Sequence, residues 1–116
     1  MQLQRFTDLN VPFKPSYFKT ELFKVLSSPV RIQILDMLRC GENSVNAIAE
    51  WLEVEASSIS RQLAILRRYN LVISRRQGTH MFYSVRDPDL FKVLDAALEV
   101  FNNHLIEIRN SLEQLE

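Results

Sequence analysis

The chain has 116 residues, 47% hydrophobic and 24% charged, a composition that fits one folded domain and excludes disorder throughout. Fourteen basic residues balance fourteen acidic ones, no apolar run approaches the roughly 20 residues that cross a bilayer, and no secretory signal opens the chain. The one cysteine, Cys40, excludes an internal disulfide and, with only two histidines, a zinc finger; the expected location is cytoplasmic.

Residues 1–15 show no clean period, and with Pro12 and Pro15 at their end they are expected to form an extended or mobile arm. From 16 to 27, Phe18, Leu22, Val25 and Leu26 recur at helical spacing, with Phe23 beside them. Ser28-Pro29 then offers a helix cap and a first-turn proline, so a second helix is predicted over about 29–39. Its inward side chains are Val30, Ile34, Leu35 and Leu38, and Gly41 ends it. Cys40 is expected to pack there as a small hydrophobe.

Ser44 starts a short third helix, 44–52, with Val45, Ile48, Ala49 and Leu52 as its apolar stripe. Glu53-Val54-Glu55 is a brief connection. A fourth helix follows over about 56–69, with Ile59, Leu63 and Leu66 inward and Asn70 as a left-handed stop. The period then changes. Residues 71–76 and 79–85 are rich in β-branched and aromatic side chains, and Gln77-Gly78 between them predicts a two-stranded hairpin.

Asp87-Pro88 opens the last helix, with Asp87 as cap and Pro88 in the first turn. Along it Phe91, Leu94, Leu98, Phe101, Leu105, Ile108, Leu112 and Leu115 alternate spacings of three and four, a heptad seam. At 1.5 Å per residue this helix is about 40 Å long, more than a small domain needs for its own core. Its far end must bury the seam elsewhere, most simply on a second copy. The expected organisation is an arm (1–15), a core (16–86) and a dimerisation helix (87–116) within a single domain. Candidate interface residues are Phe91, Leu94, Leu98, Phe101, Leu105 and Ile108.

Two short helices joined by about three residues, with a basic hairpin behind them, are the element order of a winged helix-turn-helix. The fold class is thus mainly α with a small β-hairpin, dimeric through its terminal helices. Charge supports a polyanionic partner: residues 56–86 hold six arginines and no acid. On a helical wheel Ser57, Arg61, Ala64 and Arg68 lie opposite Ile59, Leu63 and Leu66, with Ser60 and Arg67 flanking. Small residues let a helix approach the major groove, serine hydroxyls reach bases or phosphates, and arginine can bond both acceptors of guanine. Arg75, Arg76 and His80 on the hairpin suit phosphates or the minor groove.

The stretch SSPVRIQILDMLRCGENSVNAIAEWLEVEASSISRQLAILRRYNLVISRRQGTHMFYSV resembles the ArsR/SmtB family of bacterial and archaeal repressors. The resemblance runs from about Phe18 to Leu98. It is sharpest at S-x-x-S-x-Q-L-x-x-L-R, carried by Ser57, Ser60, Gln62, Leu63, Leu66 and Arg67, then Leu71-Val72 and Tyr83-Ser84. It implies a homodimer that covers an operator and is released by an effector, with base contacts from Ser57, Ser60, Arg61 and Gln62. Arg61 stands where the family often has histidine, so base preference does not carry over. The full set of expected DNA-contacting residues is Ser57, Ser58, Ser60, Arg61, Gln62, Arg67, Arg68, Arg75, Arg76, Gln77 and Thr79.

Metal sites of the family do not carry over. Where relatives place Cys-x-Cys at the start of the third helix, this chain has Ser44-Val45-Asn46. Where others place Asp-x-His and a second pair on the last helix, it has Asp87, Asp89, Val100 and Asn103. His104 and Glu107 sit one turn apart, out of that register. No metal and no cofactor is expected; a small molecule or a redox effector acting through Cys40 remains open. No paired carboxylates beside a histidine, no phosphate-binding glycine loop and no nucleophile with a supporting base point to an enzyme. The competing class is a winged-helix module that binds protein without sequence-specific DNA contact.

Overall fold

The computed structural model describes residues 14–115. The expected arm lies almost wholly outside them. Five helices and a three-stranded sheet follow in chain order. Helix α1 is Pro15–Val25, α2 is Pro29–Met37 with a 3-10 turn at Leu38–Cys40, and strand β1 is Asn43–Ser44. Then come α3 at Val45–Leu52, α4 at Ala56–Arg68, β2 at Val72–Gln77, β3 at His80–Val85 and α5 at Asp89–Gln114.

Local chemistry explains the boundaries. Ser28 caps α2 by accepting from the Arg31 N–H at 3.3 Å, and Ser44 caps α3 by accepting from the Ala47 N–H at 3.1 Å. Helices α3 and α4 end in the same way. In α3, Val54 donates to the Ala49 carbonyl and Glu53 to Glu50, with Glu53 left-handed at φ 56. In α4, Leu71 donates to Leu66 and Asn70 to Arg67, with Asn70 at φ 62. These paired bonds satisfy carbonyls that the helix itself leaves open. Asn70 was anticipated; Glu53, a charged residue in glycine's position, was not. The cap of α5 is also local. The Asp87 carboxylate accepts from the Asp89 N–H at 2.9 Å, and the helix itself begins at Asp89, one residue beyond Pro88.

The sheet corrects two expectations. It has three strands in the order β1-β3-β2, all antiparallel, rather than two. Asn43 and Ser44 pair with Tyr83 and Phe82, a contact too short to carry a period in the sequence. Gln77 pairs with His80, so Gly78 and Thr79 make the turn, one residue later than predicted. Gly78 takes φ 63, which a side chain resists.

The core lies where the helices meet the base of the sheet. Ile34, Leu35, Ile48, Ile59, Leu63, Leu66 and Val72 are fully buried, joined by Val25, Leu26, Leu38, Ala49 and Leu90. No buried polar side chain interrupts it among the described residues. The first turns of α5 belong to this core: Leu90 is buried, and Val93 and Leu94 pack against it. Arg39 reinforces the junction by bonding Asp36 at 2.8 Å and Asp95 at 2.9 Å, with its guanidinium 4.8 Å above the Phe91 ring. Phe91 is therefore already half covered within its own chain. Cys40, expected to pack inward, is exposed: Ile34, Leu35 and Leu38 set the buried face of α2 and its 3-10 turn, and at helical spacing Cys40 falls on the opposite side. Phe18 and Phe23 are likewise exposed, and α1 buries only Val25, with Leu26 buried just beyond its end.

Candidate nucleic-acid interface

Helix α4 rests on the core through Ile59, Leu63 and Leu66, spaced by four and three residues. That anchoring turns the opposite face to solvent. Ser57, Ser60, Arg61, Ala64, Arg67 and Arg68 are all exposed there, while Ser58 and Gln62 are half-buried at its margins. At the start of α4 no side chain caps the free N–H groups and the first turn holds no acid, while the N-cap residue is Glu55.

Gln62 is held from below. Arg31 donates from Nη1 to its Oε1 at 2.9 Å and from Nε to the Val25 carbonyl, at the end of α1, at 2.6 Å. One guanidinium thus ties α1, α2 and α4 together and fixes the Gln62 amide. Sequence reasoning missed Arg31, because its partner stands 31 residues away and no local pattern links them.

The wing carries the rest. Register sets the faces of the hairpin: Val72, Ser74 and Arg76 share one face with Met81, Tyr83 and Val85, and Ile73, Arg75 and Gln77 share the other with His80, Phe82 and Ser84. Val72, Tyr83 and Val85 belong to or pack on the core, so Arg76 lies on the helix side of the wing. Arg75 lies on the outer side. There it bonds Glu42 through Nε at 2.8 Å and through Nη2, donates from Nη1 to Gln77 Oε1 at 2.9 Å, and stacks 4.8 Å from the Phe82 ring. The Arg75 hydrogen bond holds the Glu42 carboxyl below the ordinary carboxylate range. Arg76, Gln77, Thr79 and His80 are exposed around the tip. Among the described residues Arg61, Arg67, Arg68, Arg76 and Arg86 have no acidic partner; Arg75 is the one arginine of 56–86 that does.

A two-helix unit with an uncluttered cationic face and a basic β-wing beside it fits comparison with known proteins. The family model described as bacterial regulatory protein, arsR family, matches residues 28–74. Over 104 residues the chain is 38% identical to Rv0081, an uncharacterized HTH-type transcriptional regulator of Mycobacterium tuberculosis, covering 88% of this chain and 91% of that one. This chain belongs to the arsR family. The crystal structure of Rv0081 matches with a TM-score of 0.72 at 37% identity, covering 82% of this chain and 97% of that chain. A homodimeric winged helix-turn-helix DNA-binding domain, Mb0332 from Mycobacterium bovis, matches with a TM-score of 0.68 at 32% identity, covering 76% and 82%. The transcriptional repressor SdpR of Bacillus subtilis is 32% identical over 81 residues, 70% of this chain and 90% of that one.

As an arsR-family protein this chain is a DNA-binding transcriptional regulator with a winged helix-turn-helix fold. No helix among the described residues is long and apolar enough to cross a membrane. No three His, Cys, Asp or Glu side chains converge on one point among the described residues.

Proposed function

We propose that this arsR-family regulator is a repressor that binds a palindromic operator as a homodimer. One α4 enters each of two major grooves, and an effector releases the complex. The observation that carries this reading is the acid-free exposed face of α4, where Ser57, Ser60 and Arg61 lead and Arg67 and Arg68 follow. Serines at the leading end keep the backbone close to base edges, Arg61 supplies a fork for guanine, and the later arginines and Arg76 suit phosphates. Homodimerisation is supported by the apolar seam of α5, open from Leu98 onward, and by the homodimeric relative. Repression is supported by the relative named a repressor.

Selection of bound sequences from a pool of random duplexes tests this reading. The expected product is an inverted repeat with half-site centres about one turn, roughly 34 Å, apart. Three unpaired arginines per subunit on phosphates, Arg67, Arg68 and Arg76, imply a slope of log affinity against log salt of about −5 for the dimer. Arg61→Ala should lose preference for the selected site over random DNA. Failure to enrich any inverted repeat, or a slope near zero, would overturn the reading and favour a protein-binding module.

A further inference from the structure

The six arginines of residues 56–86 look equivalent in sequence, but the fold gives one of them a counter-charge from outside the segment. Glu42 lies just before β1, and β1 pairs with β3. That pairing carries Glu42 alongside the wing, where both its oxygens meet Arg75. The contact is a two-bond fork, the arrangement that best fits a guanidinium to a carboxylate or a phosphate. It is backed by the Phe82 ring beneath the guanidinium and by Gln77 at its third edge. The donors of that fork would suit a phosphate equally well, and Glu42 fills them.

We propose that Glu42 is a specificity-determining residue that neutralises Arg75 and so keeps affinity for random DNA low. Discrimination by a regulator is the ratio of specific to non-specific binding, and non-specific binding is almost entirely phosphate neutralisation. An arginine already paired with a carboxylate adds no net charge to that term. Arg75 then serves to hold the wing against β1, and Arg76, on the helix side with no acidic partner, is the wing's phosphate contact. The pair is open to water, with side chains 39% exposed at Glu42 and 50% at Arg75, so its strength as a stabiliser is small and its effect is on charge.

The test is fluorescence anisotropy with a random-sequence duplex from about 50 to 300 mM salt, on the full chain. Glu42→Gln frees Arg75. The expected result is, per DNA-bound subunit, a slope steeper by about one and random-DNA affinity up about tenfold at 0.1 M salt, with a smaller gain for the selected site. The neutral double variant Glu42→Gln/Arg75→Gln should match the unmodified chain in slope, because it removes a pair that carried no net charge. A Glu42→Gln slope equal to that of the unmodified chain would overturn the proposal and leave the pair as a structural strut. So would a double variant shallower by about one per subunit, since Arg75 would then be a phosphate contact despite Glu42. Thermal unfolding of each variant separates a misfolded wing from a changed charge, and Glu42→Asp, which keeps the carboxylate, should leave the slope unchanged. Absence of any DNA binding by the unmodified chain would refute the proposed function instead.

Discussion

Replacing Phe101 by aspartate tests the proposed pairing through α5. Leu98, Phe101 and Leu105 are 56%, 55% and 46% exposed in the single chain. Fully burying such a side chain contributes about 1.5–3 kcal/mol, so covering the open half contributes about 0.8–1.5 kcal/mol each. Six such side chains across two subunits contribute about 5–9 kcal/mol, which is comparable with the cost of association, about 4–15 kcal/mol. The dimer therefore needs the whole seam, including Ile108 and Leu112, and has little to spare. Phe101→Asp removes the two phenyl contributions and leaves two carboxylates against apolar neighbours, each costing several kcal/mol to desolvate. A combined loss of at least about 5 kcal/mol weakens the dimer by at least about three orders of magnitude. Sedimentation velocity should then find monomer at micromolar concentration. Helix content should be kept, since the core contacts of α5 end near Leu94. Affinity for the selected site should fall toward that for random DNA, because two half-sites are no longer held together. A Phe101→Asp chain that dimerises as tightly as the unmodified one would refute the placement of the interface on this seam.

Leu63→Ala, at a fully buried position of α4, should cost about 2–5 kcal/mol and lower the thermal midpoint by ten degrees or more, on the scale of about 4–8 °C per kcal/mol. Glu53→Gly should raise the midpoint by a few degrees, because glycine takes the left-handed position after α3 without the strain a side chain meets; a lower midpoint would mean the Glu53 side chain has a stabilising contact. Arg31→Met should destabilise by about 1–3 kcal/mol, since the Val25 carbonyl loses its donor, and should also weaken preference for the selected site through Gln62; equal loss for random DNA would separate Arg31 from specificity. Glu42 should titrate below the ordinary carboxylate range by NMR and return to it in Arg75→Gln. Since its folded pKa is depressed, the pair's contribution is complete above the unfolded carboxylate value and is lost as pH falls through the lowered one.

Much of this fold is written in short-range chemistry. The period of 3.6 in residues 16–69 places Ile34, Ile48, Ile59, Leu63 and Leu66 inward, and all five are fully buried. Ser28, Ser44 and Asn70 mark helix ends through bonds that span three to five residues. The switch to β-branched residues marks the wing, and the lack of acids across 56–86 marks its cationic character. All of these depend on neighbours along the chain, so the order of residues is enough to specify them. What the tertiary structure alone decides is who meets whom across elements. It brings Glu42 to Arg75 over 33 residues and Arg31 to Gln62 over 31. It adds β1 to the hairpin, shifts the turn to Gly78 and Thr79, and divides the α5 seam into a core-facing start and an open remainder. None of these follows from a period, because each is fixed by how the helices and the sheet stack on the shared core. Six arginines in one acid-free run are alike as letters; the packing of β1 on β3 is what sets Arg75 apart from the rest.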